Sequence, residues 1–190
     1  LLGIKYTVIQ KNKYDLIQIV HLLNLQHNMN SWINGKLNKK KDGYYIDNTW
    51  ILWDWEEDVI TKGVKELCKK YKFKSVLELG FGVGWTATEF QKQGVERHVI
   101  LEPNKESYNK ALEWNKNYNA EIINIFSWEY KSKEKFDLIY DDIVYVGGQI
   151  NYDKHKNFIK SFKNQPYVKC TANITNNTIN NNLITTDKVI

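Results

Sequence analysis

The sequence predicts an α/β fold: a doubly wound, mostly parallel sheet with a helical or mixed N-terminal extension and a shortened C-terminal end. Three observations carry that expectation. The stretch SVLELGFGVGW, Ser75 to Trp85, passes from a short apolar run with one acid, through three glycines, into a helical pattern. Downstream, short apolar runs alternate with helical stretches, the order that right-handed β-α-β units require. The acids Glu102, Asp141 and Asp142 fall at or just past the ends of predicted strands, and open α/β sheets bind ligands at those ends.

The elements follow in order. Residues 1–50 form an N-terminal extension or cap, and 51–190 the ligand-binding domain. Ile4 to Ile9 reads as a strand and Asp15 to Leu25 as an amphipathic helix. Gly35 to Gly43, with Lys36 and Lys39-Lys40-Lys41, reads as a solvated basic loop. Asp54 with Glu57 three residues later is a capping-box-like start to a helix from about Trp55 to Tyr71, and Val59, Ile60, Val64 and Leu67 form its apolar side. Glu56 and Glu57 fall in its first turn, where the helix dipole favours acids. Ser75 to Leu79 is the first strand of the sheet. A helix follows the glycines, with Trp85, Ala87 and Phe90 inward. His98 to Glu102 is the second strand; Pro103-Asn104 breaks it before a helix carrying Tyr108, Ala111, Leu112 and Trp114. Glu121 to Phe126 is the third strand, leading into Ser127-Trp128. Phe136 to Tyr140 is the fourth, ending in Asp141-Asp142. A helix from about Tyr152 to Phe162 and a fifth strand, Tyr167 to Ile174, complete the pattern. In the Asn- and Thr-rich tail, Leu183 to Thr186 is a candidate edge strand.

The composition narrows the function classes. With 42% hydrophobic and 26% charged residues, the chain has the balance of a globular protein. Its net charge of +5 is spread along the sequence, so it gives no reason to expect specific nucleic-acid binding. Cys68 and Cys170 are too few for a disulfide framework and read as small core residues. The four histidines have no metal-ligand spacing. No apolar run approaches the roughly 18 residues of a membrane span, and a cytoplasmic protein is expected. Nothing in the sequence gives an oligomeric state.

The chemistry centres on the glycines. Gly80, Gly82 and Gly84 let the backbone approach a ligand, and the following helix offers free N–H groups. Their spacing is GxGxG after Glu78, unlike the GxGxxG of dinucleotide sites. Glu102 stands about 20 residues beyond the loop, where nucleotide folds place the carboxylate that accepts ribose hydroxyls.

The loop resembles the first motif of class I S-adenosylmethionine-dependent methyltransferases, whose fold is Rossmann-like. The blocks WILWDWEEDVI, VLELGFGVGWTAT, HVILEPN, Ser127-Trp128-Glu129 and FDLIYDD stand in the order and spacing of guanidinoacetate N-methyltransferase and its arginine-methyltransferase-like relatives, from about Asn48 to Phe162. The resemblance implies S-adenosylmethionine as cofactor, S-adenosylhomocysteine as product, and a guanidino or amino nitrogen of a small molecule or protein side chain as acceptor. It implies a catalytic pair, Glu56 and Asp141, gripping the acceptor. It places Glu78, Gly80, Gly82, Gly84, Glu102, Ser127, Trp128 and Tyr140 in the cofactor site, and no metal. The chain departs from the family at Ile143, where the family carries a tyrosine, and at Asn164-Gln165-Pro166, where the family has a Lys-Pro-Gly-Gly turn. The chain also stops soon after the fifth strand, where the family has further strands. Two other readings fit the same residues: a metal-dependent O-methyltransferase using Asp141 and Asp142 as hard-cation ligands, and a non-catalytic module that binds the cofactor. Nucleic-acid methylation is weaker, because Asp141-Asp142-Ile143 stands where amino-methylating DNA enzymes carry a Pro-Pro-aromatic run.

Overall fold

The structure, a computed structural model, describes residues 29–143, 148–162 and 165–170, with two-residue strands at 174–175, 178–179 and 184–185. The strand and helix expected before residue 26 lie outside the described residues. A helical segment over 29–34 leads into β1 (Leu37–Lys40), β2 (Gly43–Ile46) and β3 (Thr49–Trp53), an antiparallel meander. Then come α1 (Glu56–Tyr71), β4 (Ser75–Leu79), α2 (Trp85–Lys92), β5 (Arg97–Leu101), α3 (Lys105–Trp114) and β6 (Glu121–Ile123). The chain returns through β7 (Leu138–Asp141), α4 (Gly148–Ser161) and β8 (Tyr167–Cys170), and closes with β9 (Ile174–Thr175), β10 (Thr178–Ile179) and β11 (Ile184–Thr185).

The main sheet has the order β11-β8-β7-β4-β5-β6. Five strands run β8-β7-β4-β5-β6, joined by four parallel pairings, and β11 lies antiparallel on the β8 edge. From β4 the chain first moves out through β5 and β6, then returns to the other side of β4 for β7 and β8. That reversal opens a crevice at the C-terminal end of β4, where Leu79 aligns with Leu101 on one side and Asp141 on the other. Both faces of the sheet are covered, so β4 is apolar almost throughout. Val76 packs with Val64 and Leu67 of α1 and Phe90 of α2. Leu77 and Leu79 face the other way, among Phe158, Ile159 and Phe162.

Two local expectations are corrected. Gly35–Gly43 is no loop: β1 and most of a tight turn occupy it. Asn38, Lys39 and Lys40 do face solvent, but Leu37 is buried and the backbone is paired to β2. The meander continues to Trp53, across the expected boundary at residue 50. The capping box is absent as well. Trp55 takes the N-cap position with no side-chain cap, and the Asp54 carboxylate pairs instead with the Lys39 ammonium. The carboxylate that turns back at this helix start is that of Glu56, which accepts from the Trp53 N–H at 2.7 Å.

Asn104 fastens the N-terminal segment to the domain. Fully buried, it caps α3 by accepting from Ser107 N–H at 2.9 Å, while its amide donates to the Trp32 and Gly35 carbonyls at 2.7 and 3.0 Å. Glu106 adds a bond from the Leu37 N–H at 2.7 Å. Asn104→Ala should cost about 2–3 kcal/mol in urea denaturation, one cap plus stranded buried carbonyls. Asn104→Asp keeps the cap but not the donors, so limited proteolysis should show the meander loosened in both variants.

Candidate active site

The site is built where the tips of β4 and β7 meet. Gly80 N–H donates to the Leu101 carbonyl at 2.9 Å, and Asp142 N–H donates to the Leu79 carbonyl at 3.1 Å. Gly80 has φ +90°, and a Cβ there would stand 2.8 Å from the Asp142 carbonyl oxygen, so only glycine fits. Beyond this clamp lies a cleft with about 920 Å³ of space, counting its open mouth. One wall is the loop Gly80-Phe81-Gly82 with Glu102 and Pro103; a second is Phe126, Ser127 and Trp128; Asp142, Ile143 and Asn151 close a third side. The N-terminal segment supplies the fourth through Trp32, Ile46, Ile51 and Leu52. The cleft therefore includes residues from both sides of the chain's expected division.

Of the residues expected in the cofactor site, Gly80, Gly82, Glu102, Ser127 and Trp128 line this cleft. Glu102 is 5% exposed, and its Oε2 accepts from the Phe81 and Gly82 N–H groups at 2.9 and 3.3 Å, its Oε1 from Asn104 N–H at 2.8 Å. Burial raises its pKa above the ordinary carboxylate value, and those three N–H bonds offset that rise only in part. The carboxylate thus shapes the glycine loop while facing the cleft. Phe126 and Trp128 stack with centroids 4.5 Å apart and planes 8° from parallel, making a flat aromatic slab beside Ser127.

Glu78, Gly84 and Tyr140 are outside the cleft lining. Strand alternation turns Glu78 to the α1–α2 face, where it accepts from the Thr86 hydroxyl and meets His98 Nε2 at 2.8 Å, fully buried. Tyr140 shares that face and packs edge-on to Phe90 at 5.3 Å in the core. Gly84, at φ +87°, lies under the Phe81 ring; a Cβ would come within 2.6 Å of it, so this glycine serves packing.

The expected catalytic pair, Glu56 and Asp141, stands behind the cleft lining. Glu56 is 2% exposed and bonded to Trp53 N–H; burial raises its pKa and that bond lowers it. Asp141 is fully buried on the opposite face of β7 from Tyr140, where its Oδ2 meets His155 Nε2 at 2.9 Å and accepts from the Tyr167 hydroxyl at 2.5 Å. The acid on the cleft wall is its neighbour, Asp142, half-buried among Glu78, Asp141 and Glu56. Burial first, and then those three negative charges, push its pKa up to about 7, against a bond from the Cys170 thiol. His155 and the N-terminal residues Trp32 and Leu52 carried no sequence signal of a site. Among the described residues no group of three His, Cys, Asp or Glu side chains is arranged for a metal.

A parallel switch-point sheet, a GxGxG loop, a buried acid at the second strand and an aromatic slab give the chain the fold of the S-adenosylmethionine-dependent methyltransferases. The sequence matches the guanidinoacetate N-methyltransferase family over residues 31–181, and the chain belongs to that family. No curated protein matches the chain. Among solved structures, N-methyltransferase NodS from Bradyrhizobium japonicum WM9, in complex with S-adenosyl-L-homocysteine, shares the fold with a TM-score of 0.55 at 12% identity, over 78% of this chain and 71% of its own. An S-adenosylmethionine-dependent methyltransferase from Clostridium acetobutylicum ATCC 824 aligns with a TM-score of 0.50 at 16% identity, over 61% of this chain and 50% of that one, so this chain spans half its length. The PH0226 protein from Pyrococcus horikoshii OT3 gives 0.50 at 20% identity, over 61% and 57%.

The raised pKa of Asp142 has a consequence for stability. The folded state holds this proton up to about pH 7, whereas an unfolded aspartate releases it near pH 4. Its contribution is therefore fully present below pH 4 and lost as pH rises to 7. Asp142→Asn should gain stability over the wild type at pH 8, on the order of 3 kcal/mol, with the gain shrinking toward pH 4. Thermal melts of both proteins across that range give the check.

Proposed function

We propose that the chain transfers the methyl group of S-adenosylmethionine to a guanidino or amino nitrogen of a small molecule. The observation that supports this most is Asp142: an acid on the cleft wall, beside the glycine loop, with a pKa of about 7 and three further acids around it. Such a site attracts a cationic acceptor, and a base poised near neutrality can take the proton that a nitrogen must lose. Ionised Asp142 pairs with the acceptor cation and orients it; Glu56, close enough to raise the Asp142 pKa, adds to the same negative field. The match to the guanidinoacetate N-methyltransferase family supports the nitrogen acceptor.

The cleft fits the cofactor. Gly80 keeps the β4 tip free of a Cβ, Glu102 presents a carboxylate to the ribose hydroxyls, and the Phe126–Trp128 slab offers a flat face to the adenine. Bound there, S-adenosylmethionine supplies an electrophilic methyl on a sulfonium. The protein's part is positioning and proton removal, with water limited by the walls of Trp32, Ile51 and Leu52. We also place the enzyme in the cytoplasm, a reading that the free thiols Cys68 and Cys170 support. Among the described residues no helix is long and apolar enough to cross a membrane.

Two measurements test the reading. Asp142→Asn should lower turnover about 100-fold or more, remove the acidic limb near pH 7 from the kcat/KM profile, and leave S-adenosylhomocysteine affinity nearly unchanged. Glu102→Ala should instead weaken that affinity by ~1.5–3 kcal/mol in calorimetry. Cofactor binding without transfer to any guanidino or amino acceptor would overturn the proposal and favour a non-catalytic binding module.

A further inference from the structure

A second buried chain of polar groups reaches the cleft from behind. Ser127 Oγ lies 2.8 Å from His155 Nδ1, and His155 Nε2 lies 2.9 Å from Asp141 Oδ2, which also accepts the Tyr167 hydroxyl at 2.5 Å. Ser127, His155 and Asp141 are 6%, 2% and 0% exposed, so water does not compete for these bonds. Only Ser127 opens on the cleft. Three residues from three separate elements, His155, Asp141 and Tyr167, stand in line behind one hydroxyl.

The direction of each bond follows from chemistry. Asp141 Oδ2 already takes the Tyr167 proton, so it acts as an acceptor and His155 Nε2 must carry a proton toward it. A neutral imidazole then has a bare Nδ1, and the Ser127 hydroxyl must donate its proton there. What Ser127 turns to the cleft is therefore oxygen lone pairs alone. Beside it stands the Phe126–Trp128 slab, so a flat ring lying on that slab would bring an edge to this oxygen.

We infer that His155, held by Asp141, is a positioning residue that makes Ser127 an acceptor only, and so selects a nucleobase carrying an exocyclic amino group over one carrying a carbonyl at the same place. The inference deepens the cofactor placement proposed above and rests on it. A serine without the histidine could rotate its proton toward the ligand and accommodate either group. With the histidine, a carbonyl on the ring edge would meet lone pair against lone pair in a nearly dry pocket.

The test compares two probes, S-adenosylhomocysteine and its 6-oxo counterpart S-inosylhomocysteine, by calorimetry. The wild type should prefer the amino compound by about 100-fold, as a site built to receive an N–H rejects the analogue lacking it. His155→Phe fills the same space without nitrogen atoms and should bring the preference down to about threefold or less. His155→Gln should restore it, because its amide can donate to Asp141 and its oxygen can accept from Ser127. A histidine that only supported the fold would weaken both probes alike and leave their ratio unchanged; that result overturns the inference. Ser127→Ala separates the two layers of the argument. Unaltered affinity for both probes would sink the placement of the base at Ser127, while the reading of Asp142 as proton acceptor would stand on its turnover assay. The wild type alone gives an independent check through the ¹⁵N shifts of the His155 ring. A protonated Nε2 with a bare Nδ1 is expected in the S-adenosylhomocysteine complex, and a protonated Nδ1 would refute the relay.

Discussion

The site depends on how closely the tips of β4 and β7 approach. Gly80 and Asp142 are locked by backbone bonds to Leu101 and Leu79, and the Asp142 carbonyl sits where a Cβ of residue 80 would be. That contact fixes the height at which each strand ends and hence which side chains stand on the rim. Because the sheet is covered on both faces, the period of two along each strand then sorts the acids without exception. Glu78 goes to the α1–α2 face with Tyr140, Asp141 to the α4 face with Leu79 and Leu101, and Asp142, one step past the strand, turns to the cleft.

This sorting explains what the sequence could and could not disclose. The strand at Ser75–Leu79 was legible to the residue, because a buried parallel strand bounded by glycines has few alternatives. The alternation of strands and helices was legible for the same reason: the rules of handed crossovers leave little choice once the first unit is identified. Glu102 was singled out by its distance from the glycine loop, and it lines the cleft. Asp141 and Asp142 were both visible, but a one-residue shift in register exchanges their faces, and sequence marks register and strand ends poorly. The β1–β2 hairpin was hidden by its composition. Three lysines in a row suggest solvent, and they do face solvent, yet Leu37 and Ile46 bury the other side of the same hairpin.

His155 was invisible for a different reason. A lone histidine on a helix carries no spacing to announce a partner, and Ser127 and Asp141, which it bridges, are 28 and 14 residues away, on elements whose register no sequence pattern specifies. Gly84 differs from its two partners in what it contacts. A regular GxGxG invites one explanation for all three glycines, but Gly80 and Gly82 keep the cleft open while Gly84 makes room for the Phe81 ring.

The acids of this region divide by their partners, and the division assigns their work. Glu102 receives three backbone N–H groups, Glu78 a hydroxyl and a histidine, and Asp141 a histidine and a phenol. Strong donors of that kind stabilise a carboxylate where it is and tie it to one geometry. Among the described residues Asp142 has only the Cys170 thiol, a weak donor, and three carboxylates nearby that oppose its ionisation. A group so placed is costly as an anion in the empty cleft and becomes favourable as one when a cation arrives. The partnered acids therefore hold the loop, the core and the Ser127 hydroxyl in place, and among the described residues Asp142 is the acid on the cleft wall that has only a thiol as donor.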